Sequence, residues 1–206
     1  QNFLEFNDAK SILIVMNTKH STLEVYDFLS SKYKSSYQVF CLTTLHIPIH
    51  RQEIIEKINK ILKETQSKVI LVSTQLIEAG VDISFQRVYR DFGPLDSIIQ
   101  VAGRCNRNNE LGELGGEMFL VNLQKDGRLL SHYVYDKYLL SKTKECLEQF
   151  TSLESRQFSH IIDAYYQILD IGAKGEAILR AISDLNYDQN IHNQVPIADF
   201  KLISDD

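Results

Sequence analysis

The chain has 206 residues, 44% of them hydrophobic and 24% charged, a composition typical of a globular protein with one good core and not of a disordered chain. No run of 18 or more apolar residues and no secretory leader pattern occurs, so the sequence predicts neither membrane insertion nor export. Three widely spaced cysteines without a CxxC pair favour a reducing, cytoplasmic setting, and the net charge of −5 restricts any contact with nucleic acid to a local surface.

Apolar runs of strand length alternate with amphipathic helical patterns up to about residue 122, and this alternation predicts βα units around a parallel sheet. The predicted strands are, in chain order, SILIVM (11–16), YQVFCL (37–42), KVILVS (68–73), RVYRDF (87–92) and GGEMFLVNL (115–123). Helices are predicted after Ser21, which has capping-box spacing to Glu24, from Pro48, and over 96–107. The predicted fold is therefore α/β, with a doubly wound, mainly parallel sheet.

The pattern changes after the last predicted strand. Three helical stretches follow without strand signals between them, over 132–150, 159–169 and 176–185. We therefore predict an appended C-terminal helical region, with a domain boundary that separates residues 1–125 from residues 126–206. Because the chain starts at Gln1 and stops in a strand-like segment, we also expect it to be a piece excised from a longer protein.

The stretch STQLIEAGVDIS (73–84) leaves a predicted buried strand at the carboxyl edge of the sheet, where ligands bind in open α/β folds. Hydroxyls and backbone amides at such a turn can hold phosphate oxygens, and Asp82, two residues after Gly80, can reach a ribose hydroxyl. By spacing alone, an ordinary βα loop with a helix that starts at Thr74 explains the same residues equally well.

A second stretch, QVAGRCNR (100–107), places Gln100, Arg104 and Arg107 at i, i+4 and i+7 of the predicted helix, within one stripe. Two guanidiniums and an amide on one face suit bidentate phosphate binding. The alternative, a solvated amphipathic face, would carry a mixture of Lys and Glu, and this stripe carries neither. We expect Thr74 and Arg107 to lie at the same edge of the sheet.

These stretches together resemble a known family. STQLIEAGVDI resembles motif V and QVAGRCNR resembles motif VI of superfamily 2 helicases, while ILIVMNTKH (12–20) and LTTLHIPIHRQEIIEKI (42–58) resemble the motifs that precede them. DFGPLDSIIQVAGRCNR, YDKYLLSKTKECL and SHIIDAYYQIL are most similar to the CRISPR-associated helicase-nuclease of type I systems. The resemblance implies a second RecA-like motor domain of such a helicase.

The resemblance also implies roles for individual residues. Arg107 would be an arginine finger that acts on the ATP phosphates, with Arg104 beside it and Gln100 in support. Gly80 and Asp82 would contact the nucleotide. The residues implied to hold the backbone of single-stranded DNA follow three of the predicted strands: Asn17, Thr18, Thr43, Thr44, Thr74 and Gln75.

The sequence lacks the other half of an ATPase site. It contains no GxxxxGK[ST] phosphate loop and no Asp-Glu box, so the resemblance implies that ATP and its Mg²⁺ are held by a first RecA-like domain outside this chain. The six histidines are dispersed, which predicts no metal site here and leaves the nuclease domain elsewhere in the protein. The implied partners are single-stranded DNA, those two domains and an RNA-guided CRISPR surveillance complex, with no membrane.

Other functions stay open at this point. A noncatalytic docking module for nucleic acid or protein would keep the fold without needing two arginines on one stripe. A nucleotide-binding enzyme such as a sugar-nucleotide transferase would leave the paired motifs unexplained. A superfamily 2 relative that acts on RNA or on duplex DNA is equally compatible with the residues.

Overall fold

A computed structural model of the protein describes residues 9–63, 67–78, 81–107, 115–125, 127–169 and 179–186. Its central sheet has five strands in the order β2-β3-β1-β4-β5, and every neighbouring pair is parallel. The strands are β1 (Ser11–Val15), β2 (Gln38–Leu42), β3 (Val69–Ser73), β4 (Arg87–Asp91) and β5 (Glu117–Val121). The predicted parallel sheet is confirmed, since each strand lies within the segment assigned to it.

Helices cover both faces of the sheet, as the continuous apolar strands require. On one face, α1 (Lys19–Lys32) packs through Leu29 onto Ile12, Ile14 and Ile70. On the other face, α2 (Pro48–Lys63) contributes Ile58 and Ile61 to a core that also contains Leu13, Leu71 and Val88. The doubly wound arrangement follows from the alternation of side chains along β1, whose odd and even residues enter different cores.

The start of α1 differs from the prediction by one turn. Its N-cap is Thr18, in extended backbone conformation, and the Thr18 hydroxyl accepts a hydrogen bond from the Ser21 amide at 3.1 Å. Ser21 is therefore inside the helix and buried, and the capping-box assignment to Ser21 and Glu24 was wrong. Thr18 satisfies the otherwise unpaired amide of the first turn.

The third helix is shorter than predicted. α3 (Leu95–Ala102) ends five residues before Arg107, and Gly103 is its C-cap. Asn106 adopts a positive φ of 48°, which a continuing helix does not allow. Arg104 and Arg107 thus lie in the turn that follows α3, and their predicted helical stripe with Gln100 was wrong.

Irregular chain crosses the sheet on the α2 face. After β3, a 3-10 turn (Gln75–Glu78) begins a segment whose apolar residues Ile77, Val81, Ile83 and Phe85 enter the core beside α2. We call residues 77–78 and 81–85, the described parts of this stretch, the crossing segment; they lie between the carboxyl end of β3 and the amino end of β4.

The chain after β5 is mostly helical, as predicted, but it begins with an unpredicted hairpin of β6 (Gln124–Lys125) and β7 (Arg128–Leu129). A 3-10 turn (Leu130–Tyr133), α4 (Lys137–Leu147) and α5 (Phe158–Ile168) follow, and residues 179–183 are helical. Residues 176–178 of the third predicted helix, and the terminal region from 187, lie outside the described residues. No helix in the described ranges is long and apolar enough to span a bilayer.

The chain divides into two compact units, residues 1–162 and residues 163–206. The first unit holds the sheet, the hairpin and α4. The division of function at residue 125 stays a prediction.

Candidate nucleotide and nucleic-acid site

Three neighbouring strands bring the predicted nucleic-acid residues to one edge. Residues 17–18 follow β1, residues 43–44 follow β2, and residues 74–75 follow β3, and because these strands are parallel their carboxyl ends coincide. The six residues therefore lie at the same edge of the sheet. Whether the set binds nucleic acid stays a prediction.

Within this edge, the side chains differ in access to solvent. Thr44 is exposed, and Thr18 and Gln75 are partly buried. Thr43 and Thr74 are only 0% and 5% exposed, and the Thr43 hydroxyl accepts a hydrogen bond from the Leu45 amide at 3.2 Å. The accessible hydrogen-bonding side chains of the edge are thus those of residues 18, 44 and 75.

Asn17 points into the protein and is 4% exposed. Its amide nitrogen donates to Asp91 Oδ2 at 2.7 Å and to the Phe92 carbonyl at 2.6 Å, and its Oδ1 accepts from Arg90 at 2.6 Å. Both N–H groups and the oxygen have partners, so the side chain is satisfied internally. In this conformation, the Asn17 side chain has no free hydrogen-bonding group that could make the predicted contact with nucleic acid.

Arg104 is buried at 8% exposure, in the turn after α3. Its guanidinium donates to the carbonyl oxygens of Val81 and Glu78, at 2.5 and 2.6 Å. These hydrogen bonds hold the crossing segment against the turn that follows α3. Its Nε is buried without a hydrogen-bond partner.

Arg107 is more accessible, with 38% of its side chain exposed. Its guanidinium lies 3.2 Å from the carboxylate of Asp82 and donates to the Val81 carbonyl at 3.2 Å, while its backbone amide donates to Ser84 Oγ at 3.0 Å. Gly80 lies outside the described residues, and Gln100 is exposed on the last turn of α3. The structure thus brings Asp82, Arg104 and Arg107 together and leaves Gln100 on the helix.

The predicted nucleic-acid residues lie at the carboxyl ends of the parallel strands, whereas Arg104 and Arg107 lie at the amino ends. Backbone hydrogen bonds join Phe85 and residues 104–106, and Phe85 precedes β4 at its amino end. Thr74 lies at the carboxyl end of β3, so the expected shared edge with Arg107 was wrong. The reason is geometric: α3 starts after the carboxyl end of β4 and runs back along the sheet. The crossing segment links the two edges.

A buried polar cluster at the carboxyl edge escaped prediction. Arg90, at the end of β4, is 0% exposed and donates hydrogen bonds to Asn17, Glu78, Ser97 and Tyr135. We call this set the Arg90 cluster; its members are Asn17, Gln75, Glu78, Arg90, Asp91, Ser97 and Tyr135. The sequence carried only a weak signal, an arginine near the end of the strand RVYRDF, and the structure shows why it is paired: an arginine is almost never fully buried without partners.

Two carboxyl groups of the Arg90 cluster have altered acidity. Burial raises the pKa of Glu78, against the opposing effects of a hydrogen bond from Ser97 and the charge of Arg90. Burial likewise raises the pKa of Asp91, although the Leu123 amide and Arg90 favour its ionised form. Desolvation therefore outweighs pairing at both carboxyl groups.

Comparison with known proteins identifies the family. The family described as CRISPR-associated nuclease/helicase Cas3, C-terminal, matches residues 8–110. The CRISPR-associated nuclease/helicase Cas3 of Methanothermobacter thermautotrophicus is 28% identical over 193 residues, which are 89% of this chain and 22% of that protein. The protein of that name in Haloferax volcanii is 47% identical over 85 residues, which are 41% of this chain and 9% of that protein.

Solved structures share the fold. The crystal structure of T. fusca Cas3 has a TM-score of 0.66 at 20% identity, covering 84% of this chain and 22% of that one. A chain of a CRISPR RNA-guided surveillance complex, pre-nicking, has a TM-score of 0.61 at 22% identity, covering 85% and 23%. The present chain thus spans less than a quarter of the length of these relatives. It belongs to the Cas3 C-terminal family, and its sheet is the second RecA-like domain of a superfamily 2 helicase.

Proposed function

We propose that this chain is the C-terminal motor domain of an ATP-dependent single-stranded DNA translocase. The full protein would be the type I CRISPR interference helicase-nuclease that unwinds and degrades invading DNA. Membership of the Cas3 C-terminal family supports the assignment. The observation that carries the mechanism is the Arg107 guanidinium, which is partly exposed and held by the surface carboxylate of Asp82.

Arg107 and Arg104 have different parts in the proposal. Arg107 acts as the arginine finger, because a guanidinium in a surface ion pair can exchange a carboxylate for a phosphate at little cost. Arg104 holds Glu78 and Val81 in place, so that Asp82 is presented to the nucleotide, and the resemblance assigns Gly80 to the same nucleotide. Gln100 supports the site from α3.

Structures of T. fusca Cas3 with ATP, ADP and AMPPNP support ATP as the nucleotide. The phosphate loop and the ligands of Mg²⁺ are assigned to the preceding RecA-like domain, because this sequence lacks both motifs. No three His, Cys, Asp or Glu residues of the described ranges come together as metal ligands.

The carboxyl edge of β1, β2 and β3 serves as the track for single-stranded DNA. Thr44 carries the exposed hydroxyl donor there, and Thr18 is partly accessible beside it. Gln75 is partly accessible too, but its amide nitrogen already donates to the Asn17 carbonyl and to Tyr135 Oη, and Thr74 lies buried in the turn beneath them. Contacts of this neutral kind bind the phosphate backbone without reading the base sequence, as a translocating motor requires.

The pre-nicking surveillance complex among the structural relatives supports an RNA-guided complex as a partner. The three free cysteines support a reducing, cytoplasmic setting.

The test uses the full-length protein that contains this chain. Arg107→Ala should lower DNA-stimulated ATP turnover by about 10³- to 10⁵-fold, the range associated with arginine fingers, and should leave affinity for single-stranded DNA nearly unchanged. Arg156→Ala is the matched control, because Arg156 is an exposed arginine in a surface ion pair with Glu154. If Arg107→Ala weakens DNA binding and keeps full turnover, the finger assignment fails and a noncatalytic docking module is favoured.

A further inference from the structure

Arg90 has no place in the helicase motifs, yet it is the largest fully buried side chain among the described residues. Its Nη1 donates to Asn17 Oδ1 at 2.6 Å and to the Asp91 carbonyl at 2.9 Å. Its Nη2 donates to Ser97 Oγ at 2.7 Å, Tyr135 Oη at 3.0 Å and Glu78 Oε1 at 3.2 Å. One side chain thus joins the ends of β1 and β4, the 3-10 turn after β3, the first turn of α3 and the segment before α4.

Stability alone is a weak reason for this arrangement. A buried ion pair must overcome the desolvation of both charges, and well-packed apolar residues of similar volume often stabilise a core as much or more. Arg90 Nε is moreover buried without a partner, and burial raises the pKa of Glu78 despite its neighbouring guanidinium. The best-attested role of such buried ionic groups is to fix the position of the surrounding elements relative to one another.

The Arg90 cluster fixes the proposed DNA edge. Gln75 Nε2 donates to the Asn17 carbonyl at 3.0 Å and to Tyr135 Oη at 3.1 Å, and both acceptors belong to groups that Arg90 also binds. The loops after β1 and β3 are therefore held relative to each other both directly, by Gln75, and through the Arg90 guanidinium. A shift of either loop changes the hydrogen bonds of Arg90.

Glu78 connects the DNA edge to Arg104 and Arg107. Its carboxylate accepts hydrogen bonds from Arg90 and from Ser97 Oγ, the latter at 2.7 Å. Its backbone carbonyl accepts from Arg104 at 2.6 Å, and Arg104 shares the Val81 carbonyl with Arg107. A continuous chain of hydrogen bonds thus runs along the crossing segment, from the carboxyl edge to the proposed finger.

We propose that Arg90 and Glu78 are a positioning pair that couples occupancy of the DNA edge to the placement of Arg107. The inference rests on the proposed function and extends it to two residues that touch neither DNA nor nucleotide.

The experiment measures ATP turnover of the full-length protein with and without saturating single-stranded DNA. Arg90→Met and Glu78→Gln should each lower the stimulation by DNA about 3- to 30-fold while turnover without DNA stays near wild type. The double variant should lose no more than the stronger single variant, because both substitutions break one link. Arg87→Met is the matched control, since Arg87 lies on the same strand in an ion pair with Glu117, outside the Arg90 cluster.

The outcomes separate the two proposals. A wild-type protein without DNA-stimulated turnover overturns the proposed function. A stimulated wild type with unchanged stimulation in Arg90→Met and Glu78→Gln overturns the coupling alone, as does an equal loss in Arg87→Met. If Arg90→Met fails to fold, Glu78→Gln and Tyr135→Phe carry the test, because Tyr135→Phe removes only the hydroxyl that Arg90 and Gln75 share. Unchanged stimulation in both then overturns the coupling.

Discussion

The Arg107 guanidinium and the Asp82 carboxylate form an ion pair at 3.2 Å, with 38% and 78% of the two side chains exposed. Two residues that the sequence assigned to the nucleotide are therefore paired with each other. At this exposure such a pair contributes about 0 to 1 kcal/mol to stability, so opening it costs little. In the proposed mechanism, the pair holds Arg107 in place until an ATP phosphate replaces the carboxylate.

Asp82→Ala should therefore affect ATP binding more than folding. In the full-length protein we expect the KM for ATP to rise about fivefold, equivalent to one lost hydrogen bond of about 1 kcal/mol, with a small change in kcat. Thermal unfolding should be nearly unchanged. Glu148→Ala is the control, since Glu148 forms an exposed ion pair with Lys144 on α4. A fall in kcat at constant KM would contradict the assignment of Asp82 to nucleotide binding.

Thr74→Ala should lower affinity for single-stranded DNA modestly, by about 1 kcal/mol, and should reduce DNA stimulation of turnover, because Thr74 lies in the turn beneath the accessible residues of the DNA edge. The salt dependence of binding should hardly change, because threonine neutralises no phosphate. Titrations at several salt concentrations check both expectations.

Thr143→Ala is the control for Thr74, because Thr143 is equally buried and its hydroxyl bonds within α4 to the Leu139 carbonyl. It should lose stability without losing DNA affinity. An equal loss of affinity in both variants would make Thr74 a folding residue only.

The isolated chain should hydrolyse no ATP above background and should bind ATP weakly. It carries the proposed arginine finger but no phosphate loop, so only part of the set of groups that stabilises the transition-state charge is present. Phosphate release measured with and without single-stranded DNA checks this, with the full-length protein as the positive control. A motor-like rate from the isolated chain would refute the division of the site between two domains.

The stability of this chain should depend on pH through Glu78. Because burial raises its pKa, the folded state binds the proton more tightly than the unfolded state. The protonated form thus favours folding, and stability is lost as pH rises from the unfolded pKa through the folded one. Asp91 contributes with the same sign.

Glu78→Gln cannot ionise, so its stability relative to wild type should increase as pH rises through that window. Urea unfolding of both proteins across acidic and neutral pH measures the difference. Glu145→Gln is the matched control, because it removes an exposed carboxylate that is paired with Lys142 at the surface. A relative stability of Glu78→Gln that falls with rising pH would mean that Arg90 stabilises the ionised carboxylate more than burial penalises it.

Strand segments and the proposed DNA edge were predictable because they depend on local patterns. A run such as KVILVS is apolar at consecutive positions, which identifies a strand buried on both faces, and parallel strands bring their following loops together. The end of α3 was not predictable in this way. The turn that stops it is stabilised by backbone hydrogen bonds to Phe85, 19 residues before Arg104, and by the positive φ of Asn106.

The Arg90 cluster was hidden for a related reason. Its members are spread from Asn17 to Tyr135, and no spacing in the sequence links them. Arg90 itself looks like an ordinary strand-end charge, since a strand pattern does not tell which loop will cover its last residue. Long-range pairing of this kind is decided by the topology of the sheet.

Tyr135 belongs to the segment after residue 125, yet its hydroxyl lies within hydrogen-bonding distance of Arg90 and Gln75. Gly93 makes room for it, because a Cβ there would stand 3.1 Å from the tyrosine ring. Any exchange of motor domains between relatives must therefore carry Tyr135 and residue 93 together with the strands. A chimera joined at residue 125 would graft a foreign side chain into the middle of the recipient's polar interior, whereas a junction beyond α4 keeps the matched set intact.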